Sequence, residues 1–336
     1  MENKKELIVT LADSNFIKQA KQLFSSVYWN AGWKGDYLLL AHNIPEEELK
    51  WFKDKGILTY NCKPLFSDTI GMGYNPVILD KLYLFSAFFK QWKTIVFIDS
   101  DIIVKGSLDR LLNVNEFSAA DSTIKFGEQF FNDKILFNEI RINYNLKKRS
   151  FNTGLFAFPT CIINENTFEE LLSTYKKYQR IAKCNEETVL NLYFYKNWKL
   201  LPHVYNYFVS VNMVEERKHM RIRAIVYHFL KIIGHDEYRP WHCDNIYNKE
   251  WNKNLENAEK IDLSKPNEIK SWSSLKIVYY SFMIKYIKIT GYNLQKALKN
   301  ISHCLNQKMG NLGLFIKGKN EKLYYKLKKS NGNTKA

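Results

Sequence analysis

The amino-acid sequence predicts an α/β fold with a mostly parallel sheet, and three observations support this prediction. First, a short apolar run over Leu7–Leu11, typical of a strand, is followed by helical periodicity over Phe16–Tyr28. Second, the same order repeats, with a strand over Tyr37–Ala41 and a helix over Glu46–Lys55. Third, the run Thr94–Val104 is apolar apart from its centre, as in strands that are buried on both faces. Such alternation is typical of a parallel sheet covered by helices.

The later elements are predicted in the same way. Residues 76–89 predict a helix that leads directly into the strand at residue 94, and Ser107 is placed to cap a short helix. The polar segment 127–149 predicts an irregular loop over a site. Beyond that segment, residues 151–158 form an apolar run broken by Asn152-Thr153-Gly154, and the sequence predicts helices over 167–183 and 186–195 and a strand over 223–230.

The composition is that of a folded globular protein. The chain has 336 residues, of which 46% are apolar and 15% aromatic, too many for a disordered chain. The five cysteines are scattered, odd in number and without a C-x-x-C spacing. This argues against a disulfide framework and a zinc knuckle, and it favours a reducing cytoplasm. The first residues are charged and lead into only a short apolar stretch, so no secretory signal is expected.

The positive charge is concentrated at the C-terminal end. The formal net charge is +16. Residues 271–336 contain 13 lysines and one acidic residue, Glu321, and therefore carry +12, which leaves +4 for the first 270 residues. A nucleic-acid-binding protein would spread its charge over a folded face. Because the body is nearly neutral, we expect no nucleic acid as a partner.

The last part of the chain, residues 275–336, predicts a basic amphipathic tail. Helical periodicity places Tyr280 and Met283 with later leucines on one side and lysines on the other. Such a tail suits an anionic lipid surface, and the alternative is a helix that docks on the domain and exposes its lysines. We therefore expect a domain over 1–250, a linker over 251–274 and the basic tail over 275–336, in a cytoplasmic protein peripheral to the inner face of the cytoplasmic membrane.

Two carboxylates interrupt the apolar run at its centre. Because strand side chains alternate, Asp99 and Asp101 are expected to point the same way and Ser100 the other way. Two like charges at the end of a buried strand are unfavourable unless a cation neutralises them. The pair therefore predicts a divalent-metal site that holds an anionic substrate. The alternative is a strand that ends at Asp99, with both carboxylates solvated in a turn.

Other candidate site residues lie in four further segments. His228 ends a predicted strand, where its imidazole suits a metal site, although a lone histidine there is more commonly a core residue. With two aspartates it would favour Mn²⁺ over Mg²⁺, because an imidazole nitrogen suits the softer metal. Arg239 offers a guanidinium for a diphosphate, and Asn152 offers an amide for sugar hydroxyls. Asp13 and Asn15 follow the first strand, at the edge where α/β sheets bind ligands. Each of these residues alone also fits a turn.

Taken in order, these segments resemble family 8 glycosyltransferases, the retaining enzymes that include glycogenin and the bacterial lipooligosaccharide galactosyltransferases. The resemblance runs from Leu7 to about Asp244. It implies a GT-A-type fold, a Rossmann-like domain with a mostly parallel mixed sheet that binds a UDP-sugar. Phe97-Ile-Asp-Ser-Asp101 is similar to the family's D-x-D motif, whose carboxylates hold Mn²⁺ on the diphosphate. Phe151-Asn-Thr-Gly154 resembles the F-N-[AST]-G motif, which makes Asn152 a sugar contact.

The resemblance also implies a set of ligand residues. For the metal they are Asp99, Asp101 and His228. For the donor, Asp13 and Asn15 would contact uracil and ribose. Asp121 is a donor-side acid, and Asn152 a sugar contact. The other implied donor ligands are Lys81, Asp99, and Gly234 and Arg239, which stand in the place of the family's H-F-x-G-x-x-K-P-W segment.

Three departures from the family pattern bear on the chemistry. Glu186-Glu187 stands where the family has Asp-Gln, so both glutamates, together with Asn152, are candidate catalytic residues. A glutamate at 187 is either a nucleophile for double displacement, an acceptor contact or a sign of altered donor choice. The segment after His228 is longer than in the family, which makes His235 a rival metal ligand. At 239, arginine replaces the family's lysine.

The expected function is therefore the transfer of galactose or glucose from a UDP-sugar to a saccharide or glycolipid acceptor in surface-glycan synthesis, lipopolysaccharide and lipooligosaccharide included. Mn²⁺ is the expected cofactor, with Mg²⁺ as the alternative. The first alternative function is an inactive or accessory sugar-nucleotide-binding protein. A sugar-phosphate nucleotidyltransferase fits less well, because it needs a glycine-rich loop after the first strand and this chain has no glycine before Gly32.

Overall fold

The computed structural model describes residues 5–67, 75–209, 223–230, 239–244 and 246–285. The chain divides into two compact units, Met1–Ile284 and Lys285–Ala336. The predictions on Gly234, on His235 and on the basic tail beyond residue 285 lie outside the described residues. No helix in the described part of the chain is long and apolar enough to cross a membrane.

Two sheets organise the first unit. The described strands are β1 Leu7–Ala12, β2 Asp36–His42, β3 Leu58–Cys62, β4 Thr94–Ile98, β5 Ile102–Val104, β6 Phe117–Lys125, β7 Arg149–Pro159, β8 Trp198–Leu200, β9 Tyr207–Phe208 and β10 Val226–His228. The large sheet has the order β3-β2-β1-β4-β7-β6-β8, and the small one the order β5-β10-β9. β3, β2, β1 and β4 run parallel, whereas β7 is antiparallel to both of its neighbours. The predicted α/β fold with a mostly parallel mixed sheet is confirmed.

Helices cover the large sheet. They are α1 Ile17–Ala31, α2 Glu46–Asp54, α3 Leu136–Asn143, α4 Thr167–Tyr178, α5 Glu186–Tyr193 and α6 Asn248–Ala258, and residues 274–285 are also helical. All side chains of β1 and β4 are buried, which explains why both strands have continuous apolar sequences. The core beside β4 is rich in phenylalanine: Phe85 stacks on Phe158 with ring centroids 4.8 Å apart, and Phe97 on Phe156 at 5.0 Å.

The acidic run differs from its prediction. Instead of one strand over 94–104, β4 ends at Ile98 and β5 begins at Ile102, so Asp99, Ser100 and Asp101 form the connecting turn. The break has a physical reason, since β5 leaves the large sheet and pairs with β10 in the small one. The alternative, a strand that ends at the acidic pair, therefore describes the backbone correctly. The carboxylates are nevertheless not simply solvated, because only 27% of the Asp99 side chain and 17% of the Asp101 side chain are exposed.

Two further predictions of local structure were wrong. Residues 76–89 do not form an α-helix but two short 3₁₀ helices, Pro76–Phe85 and Ala87–Gln91, which are interrupted by the extended Ser86. The segment 127–149 is not an irregular loop, because it contains α3 and is ordered by a small apolar cluster of its own. Phe126, Phe130 and Ile140 pack there against residues that precede and form α5, Ile181 and Leu192.

Within the first unit, the chain between α6 and residue 274 packs against α1 and the segment that carries Asp109. Tyr28 on α1 donates its hydroxyl to the Lys265 carbonyl at 2.8 Å, and Asn267 donates to the Tyr28 carbonyl at 3.1 Å. Ser271 donates to the Asp109 carboxylate at 2.8 Å. The division into a domain over 1–250, a linker and a tail stays a prediction, and its first boundary falls within α6.

Candidate active site

Strand pairing brings the predicted metal ligands together. β10 pairs antiparallel with β5, which places His228 opposite Ile102 and beside the turn that carries the acidic pair. The amide of Phe229 donates to the carbonyl of Asp101 at 3.0 Å. One ligand atom from each of Asp99, Asp101 and His228 lies within 4.8 Å of the others. His228 Nε2 is 3.1 Å from Asp101 Oδ1. Three residues that are far apart in sequence therefore form one candidate metal site.

The charges of the acidic pair respond to each other and to their surroundings. Burial raises the pKa of Asp99; Lys81 opposes this shift, and the neighbouring charge of Asp101 adds to it. Burial also acts on Asp101, but His228, Arg239 and Lys81 together outweigh it and hold the pKa of Asp101 below its ordinary value. The two carboxylates thus repel each other in a partly buried site, and a divalent cation would relieve this repulsion.

The F-N-T-G segment of β7 lies directly beside the metal site. The amide of Asp99 donates to the Gly154 carbonyl at 2.8 Å, which ties the acidic turn to this strand. His228 packs against Gly154 so closely that a β-carbon at 154 would lie 2.2 Å from His228 Cε1. Glycine at 154 is therefore required for the histidine ring to reach the acidic pair.

Lys81 connects the acidic pair to the start of α5. Its Nζ atom is 2.9 Å from Asp99 Oδ1 and 2.9 Å from Glu186 Oε1, and the side chain is almost fully buried. Burial alone would lower the pKa of Lys81, but the two carboxylates outweigh it and raise that pKa. Glu186 also accepts a hydrogen bond from the Thr153 hydroxyl at 3.1 Å. Lys81 is therefore held as a cation at the centre of the site.

Glu187 lies in a cage of neutral hydrogen-bond donors. Oε2 accepts from Asn152 Nδ2 at 2.8 Å and from the Thr153 amide at 3.4 Å. Oε1 accepts from Gln129 Nε2 at 2.8 Å and from the Ser122 hydroxyl at 3.4 Å. Burial, followed by the neighbouring charge of Glu186, raises the pKa of Glu187 to about 7. Both carboxylate oxygens are thus fixed in position, while no cation is in direct contact with this group among the described residues.

Hydrogen bonds between α5 and β7 hold Glu187 and its donors in place. Asn185 precedes α5 with a positive φ of 43°, and the next two residues begin the helix, where acidic side chains are favoured by the helix dipole. Within α5, Asn191 accepts from the amide of Phe151 at 2.9 Å and donates to its carbonyl at 2.8 Å. The predicted catalytic candidates Glu186, Glu187 and Asn152 are therefore adjacent.

The remaining predicted donor contacts lie after β1 and on β6. Asp13 and Asn15 lie after β1, which is parallel to β4, and Asp13 Oδ1 accepts from the Asn15 amide at 3.0 Å. Asp121, on β6, is opposite Phe151 and 3.1 Å from Arg149 Nε. Asp13, Asn15 and Asp121 thus stay predictions of donor contacts.

Arg239 is buried beside the acidic pair. Its guanidinium carbon lies 5.3 Å from the centre of the Trp241 ring. Its Nε atom is buried and has no hydrogen-bond partner among the described residues. A buried guanidinium with free donor capacity is suited to an anionic group. Its role at a diphosphate stays a prediction.

Sequence reasoning missed four polar residues that contact the predicted ones. Ser122 and Gln129 contact Glu187, Thr153 contacts both glutamates, and Asn206 contacts Asn152 and His228. Gln129 lies in the segment that was predicted to be irregular, and Asn206 lies in a 3₁₀-to-strand connection without a motif of its own. Thr153 alone carried a signal, since it stands inside the F-N-T-G segment.

Comparison with known proteins identifies relatives over the same region. A family model described as glycosyl transferase family 8 matches residues 7–245. Glycosyltransferase GlyF of Streptococcus pneumoniae serotype 4 is 25% identical over 162 residues, which is 45% of this chain and 35% of GlyF. Galactinol synthase 7 of Arabidopsis thaliana is 24% identical over 186 residues, 50% of this chain and 54% of that protein. This chain thus spans less than two thirds of the length of both curated relatives.

Solved structures show the same fold. The galactosyltransferase LgtC in complex with donor and acceptor sugar analogues has a TM-score of 0.58 and 15% identity, over 75% of this chain and 95% of that chain. An active-site mutant of LgtC, in which a glutamine is replaced by glutamate, has a TM-score of 0.60 and 16% identity over the same shares. At these identities the likeness concerns the fold alone, whereas the family match covers most of the chain. The chain belongs to glycosyl transferase family 8, as its sequence predicted.

Proposed function

We propose that this protein transfers a hexose, galactose or glucose, from a UDP-sugar to a saccharide acceptor with retention of configuration and with Mn²⁺ as cofactor. The observation that carries the proposal is the cluster of Asp99, Asp101 and His228, which lies directly beside the F-N-T-G segment in a member of this family. The chemistry of both halves suits one substrate, since a metal site binds a diphosphate and the amide of Asn152 suits sugar hydroxyls.

The cluster fits a divalent metal. Two carboxylates and one imidazole offer hard and borderline ligands together, a set that suits Mn²⁺ better than Mg²⁺. The pKa of Asp99 is raised by burial and by the neighbouring charge of Asp101, and a bound cation would offset both effects. When bound, the metal would act as a Lewis acid that stabilises the negative charge of the UDP leaving group.

The chain's own cations would complete the diphosphate site. Lys81 and Arg239 both act on the acidic pair, and Arg239 has free donor capacity among the described residues. They would balance the diphosphate, with Gly234 as a further predicted contact. Asp13 and Asn15 would hold uracil and ribose, and Asp121 and Asn152 would contact the sugar.

Glu187 is proposed as the catalytic carboxylate. Its four donors hold both oxygens in place, and no cation is in direct contact with it among the described residues. A fixed carboxylate beside the sugar would stabilise the positive charge that develops on the anomeric carbon as UDP leaves. Glu186 differs, because Lys81 neutralises it, and its proposed role is to hold Lys81 in place.

A panel of UDP-hexoses with Mn²⁺, scored by release of free UDP, tests the proposal directly. We expect one UDP-hexose to be turned over and the reaction to stop when the metal is chelated. If no UDP-hexose is turned over but Mn²⁺-dependent UDP binding remains, the alternative of an accessory sugar-nucleotide-binding protein is correct. If UDP binding is also lost, the proposal is wrong in both parts.

The second part of the proposal concerns the acceptor and the membrane. On the helix 274–285, Leu275, Val278, Tyr279 and Phe282 form one apolar stripe, and each is more than half exposed. The opposite side of this helix is buried through Ile277 and Ile284. The strongly basic tail follows directly in sequence. An exposed apolar stripe beside a cationic segment suits an anionic lipid surface, where a glycolipid acceptor would lie.

Replacing the stripe with charge tests membrane binding. The variant Val278→Asp/Phe282→Asp should bind anionic phosphatidylglycerol vesicles at least about 10-fold more weakly in sedimentation, since two apolar contacts are lost. Its turnover of soluble substrate should not change. Ile142→Asp is the matched control, because Ile142 is 80% exposed on α3, outside the stripe. Equal vesicle binding by all three proteins would contradict the membrane proposal.

A further inference from the structure

A series of hydrogen bonds joins Asn152, the proposed sugar contact, to His228, the proposed metal ligand, through Asn206, which has no assigned role. Asn206, 3% exposed, follows the 3₁₀ helix His203–Tyr205. Its Nδ2 atom donates to Asn152 Oδ1 at 2.8 Å. Its Oδ1 atom is 2.9 Å from His228 Nδ1. Asn206 thus contacts the proposed sugar-binding amide on one side and the proposed metal ligand on the other.

The orientation of both side-chain amides in this series of hydrogen bonds, Asn152 and Asn206, follows from the backbone N–H of Gly154. The Gly154 amide is a donor and lies 2.9 Å from Asn152, so the Asn152 atom that faces it must be the oxygen, Oδ1. Asn152 Nδ2 then faces Glu187, as a donor should. The same oxygen accepts from Asn206, whose facing atom must therefore be the nitrogen Nδ2. Asn206 consequently presents its oxygen to the histidine.

The histidine tautomer follows from the same argument. Because Asn206 Oδ1 can only accept, His228 Nδ1 must carry the proton of this hydrogen bond. In the neutral ring, Nε2 then has a free lone pair, and Nε2 is the atom that faces the acidic pair. The ring is also held sterically, because it fills the space above Gly154 and lies edge-on to Phe208 with centroids 5.6 Å apart.

We propose that Asn206 is a positioning residue that fixes His228 in the Nδ1-protonated tautomer, and that it couples this metal ligand to Asn152. The proposal rests on the metal site of the proposed function. A histidine that ligates a metal through one nitrogen commonly donates its other N–H to an oxygen, which sets both tautomer and ring orientation. Here that oxygen belongs to an amide that also orients the sugar-side asparagine, so one residue serves both halves of the site.

Two substitutions separate the two functions of Asn206. Asn206→Ala removes both hydrogen bonds. Asn206→Asp keeps an oxygen acceptor for His228 Nδ1–H but replaces the donor that faces Asn152 Oδ1 with a second acceptor. The metal side should therefore fail only in the alanine variant, and the sugar side in both variants. Asn267→Ala is the matched control, since it removes an asparagine side-chain hydrogen bond to Tyr28 away from the site.

The first measurement is Mn²⁺ binding to the full chain by calorimetry, without any sugar nucleotide. We expect Asn206→Ala to bind Mn²⁺ about 10- to 100-fold more weakly than wild type, a loss typical of residues that support a metal ligand. Asn206→Asp should bind at least as tightly as wild type, because it adds negative charge beside the site. The Asn267→Ala control should equal wild type.

The second measurement reads the tautomer directly. Nitrogen NMR of the metal-free protein with labelled histidine, at about pH 8, should show a protonated Nδ1 for His228 in wild type and in Asn206→Asp. In Asn206→Ala the Nδ1 signal should shift towards that of an unprotonated nitrogen. A purely structural role for Asn206 would change the unfolding temperature without this spectroscopic change.

The outcomes distinguish the inference from the function on which it rests. If wild type binds Mn²⁺ and Asn206→Ala binds it equally well with Nδ1 still protonated, the positioning role is wrong and the metal site stands. If wild type itself does not bind Mn²⁺, the proposed metal site is wrong and the inference falls with it. If both Asn206 variants lose Mn²⁺ equally, tautomer control is contradicted, because the aspartate keeps the acceptor.

Discussion

The buried carboxylates have opposite surroundings on the two sides of the candidate site. We call these the metal side, with Asp99 and Asp101, and the sugar side, with Glu187. On the metal side, Asp99 and Asp101 remain partly exposed and are surrounded by Lys81, Arg239 and His228, all of which are charged or able to be charged. On the sugar side, Glu187 is nearly fully buried and contacts only neutral donors. The first arrangement favours binding of a cation, whereas the second disfavours the ionised form of Glu187 and raises its pKa. Lys81 connects the two sides, because it contacts Asp99 and also Glu186, the sequence neighbour of Glu187.

Neutralising the metal side should have the largest effect on activity. We expect Asp101→Asn to lower the rate of transfer about 1,000-fold, which corresponds to about 4 kcal/mol of transition-state stabilisation. The reason is that a carboxamide binds a divalent metal far more weakly than a carboxylate does. Mn²⁺ affinity measured by calorimetry should fall in parallel. The exposed Asp262→Asn is the control, and full activity in Asp101→Asn would remove the metal side from the mechanism.

Removing the lysine between the two sides should destabilise the fold. Lys81→Met leaves Asp99 and Glu186 without their shared counter-ion, and breaking a buried ion pair on one side costs about 4 kcal/mol. Urea unfolding measures this loss. Lys50→Met removes an exposed ion pair with Asp54, which should cost only about 0.5 kcal/mol. Similar losses of unfolding free energy in the two variants would mean that the buried ion pairs of Lys81 do not stabilise the fold.

The stability of the protein should depend on pH through Glu187. Its pKa is raised from 4.5 to about 7 by burial and by Glu186. The folded chain therefore keeps a proton that the unfolded chain has lost, so this group's contribution to stability is present below about pH 4.5 and is lost as the pH rises through about 7. Metal-free Glu187→Gln should match wild type near pH 4 and exceed its unfolding free energy by about 3 kcal/mol at pH 8. If the difference in unfolding free energy between Glu187→Gln and wild type stays constant from about pH 4 to about pH 8, the pKa of Glu187 is not raised.

The same substitution should separate catalysis from metal binding. We expect Glu187→Gln to lower the rate of transfer about 100-fold, because the fixed negative charge beside the anomeric carbon is lost while the amide fills the same space. Mn²⁺ affinity should remain that of wild type, in contrast to Asp101→Asn. Transfer that is unchanged or faster in Glu187→Gln would mean that Glu187 only occupies the position of the family's glutamine. Mass spectrometry of the donor-treated enzyme would reveal a glycosyl ester if Glu187 is a nucleophile.

The sequence allowed the fold and the charged half of the site to be predicted, because these depend on short-range patterns. The strands up to Ile98 have periodicity of their own, and Asp99, Asp101 and the F-N-T-G segment belong to local motifs. The order of these motifs then led to His228. Local patterns also explain the errors, since the break between β4 and β5 results from pairing with β10, which is distant in sequence.

The neutral half of the site was not predictable, because it depends on contacts over long sequence distances. Gln129 reaches Glu187 only because the apolar cluster around Phe126 and Ile140 orders the segment that carries it. Asn206 has no motif, and its importance depends on lying between Asn152 and His228, which are 54 and 22 residues away. Amides also have no charge pattern that composition could reveal, whereas acids in an apolar run are conspicuous.

Because Gly154 has no side chain, the space beside it in the F-N-T-G segment is filled by the ring of His228, the proposed metal ligand. The histidine ring occupies the place that a methyl group at 154 would need. If His228 ligates the metal as proposed, a side chain at 154 would displace this ligand, so a change in donor specificity made there would also change metal affinity. Ser122 and Gln129 bond to Glu187 and not to the histidine, so we expect substitutions there to change the surroundings of Glu187 while leaving His228 in place.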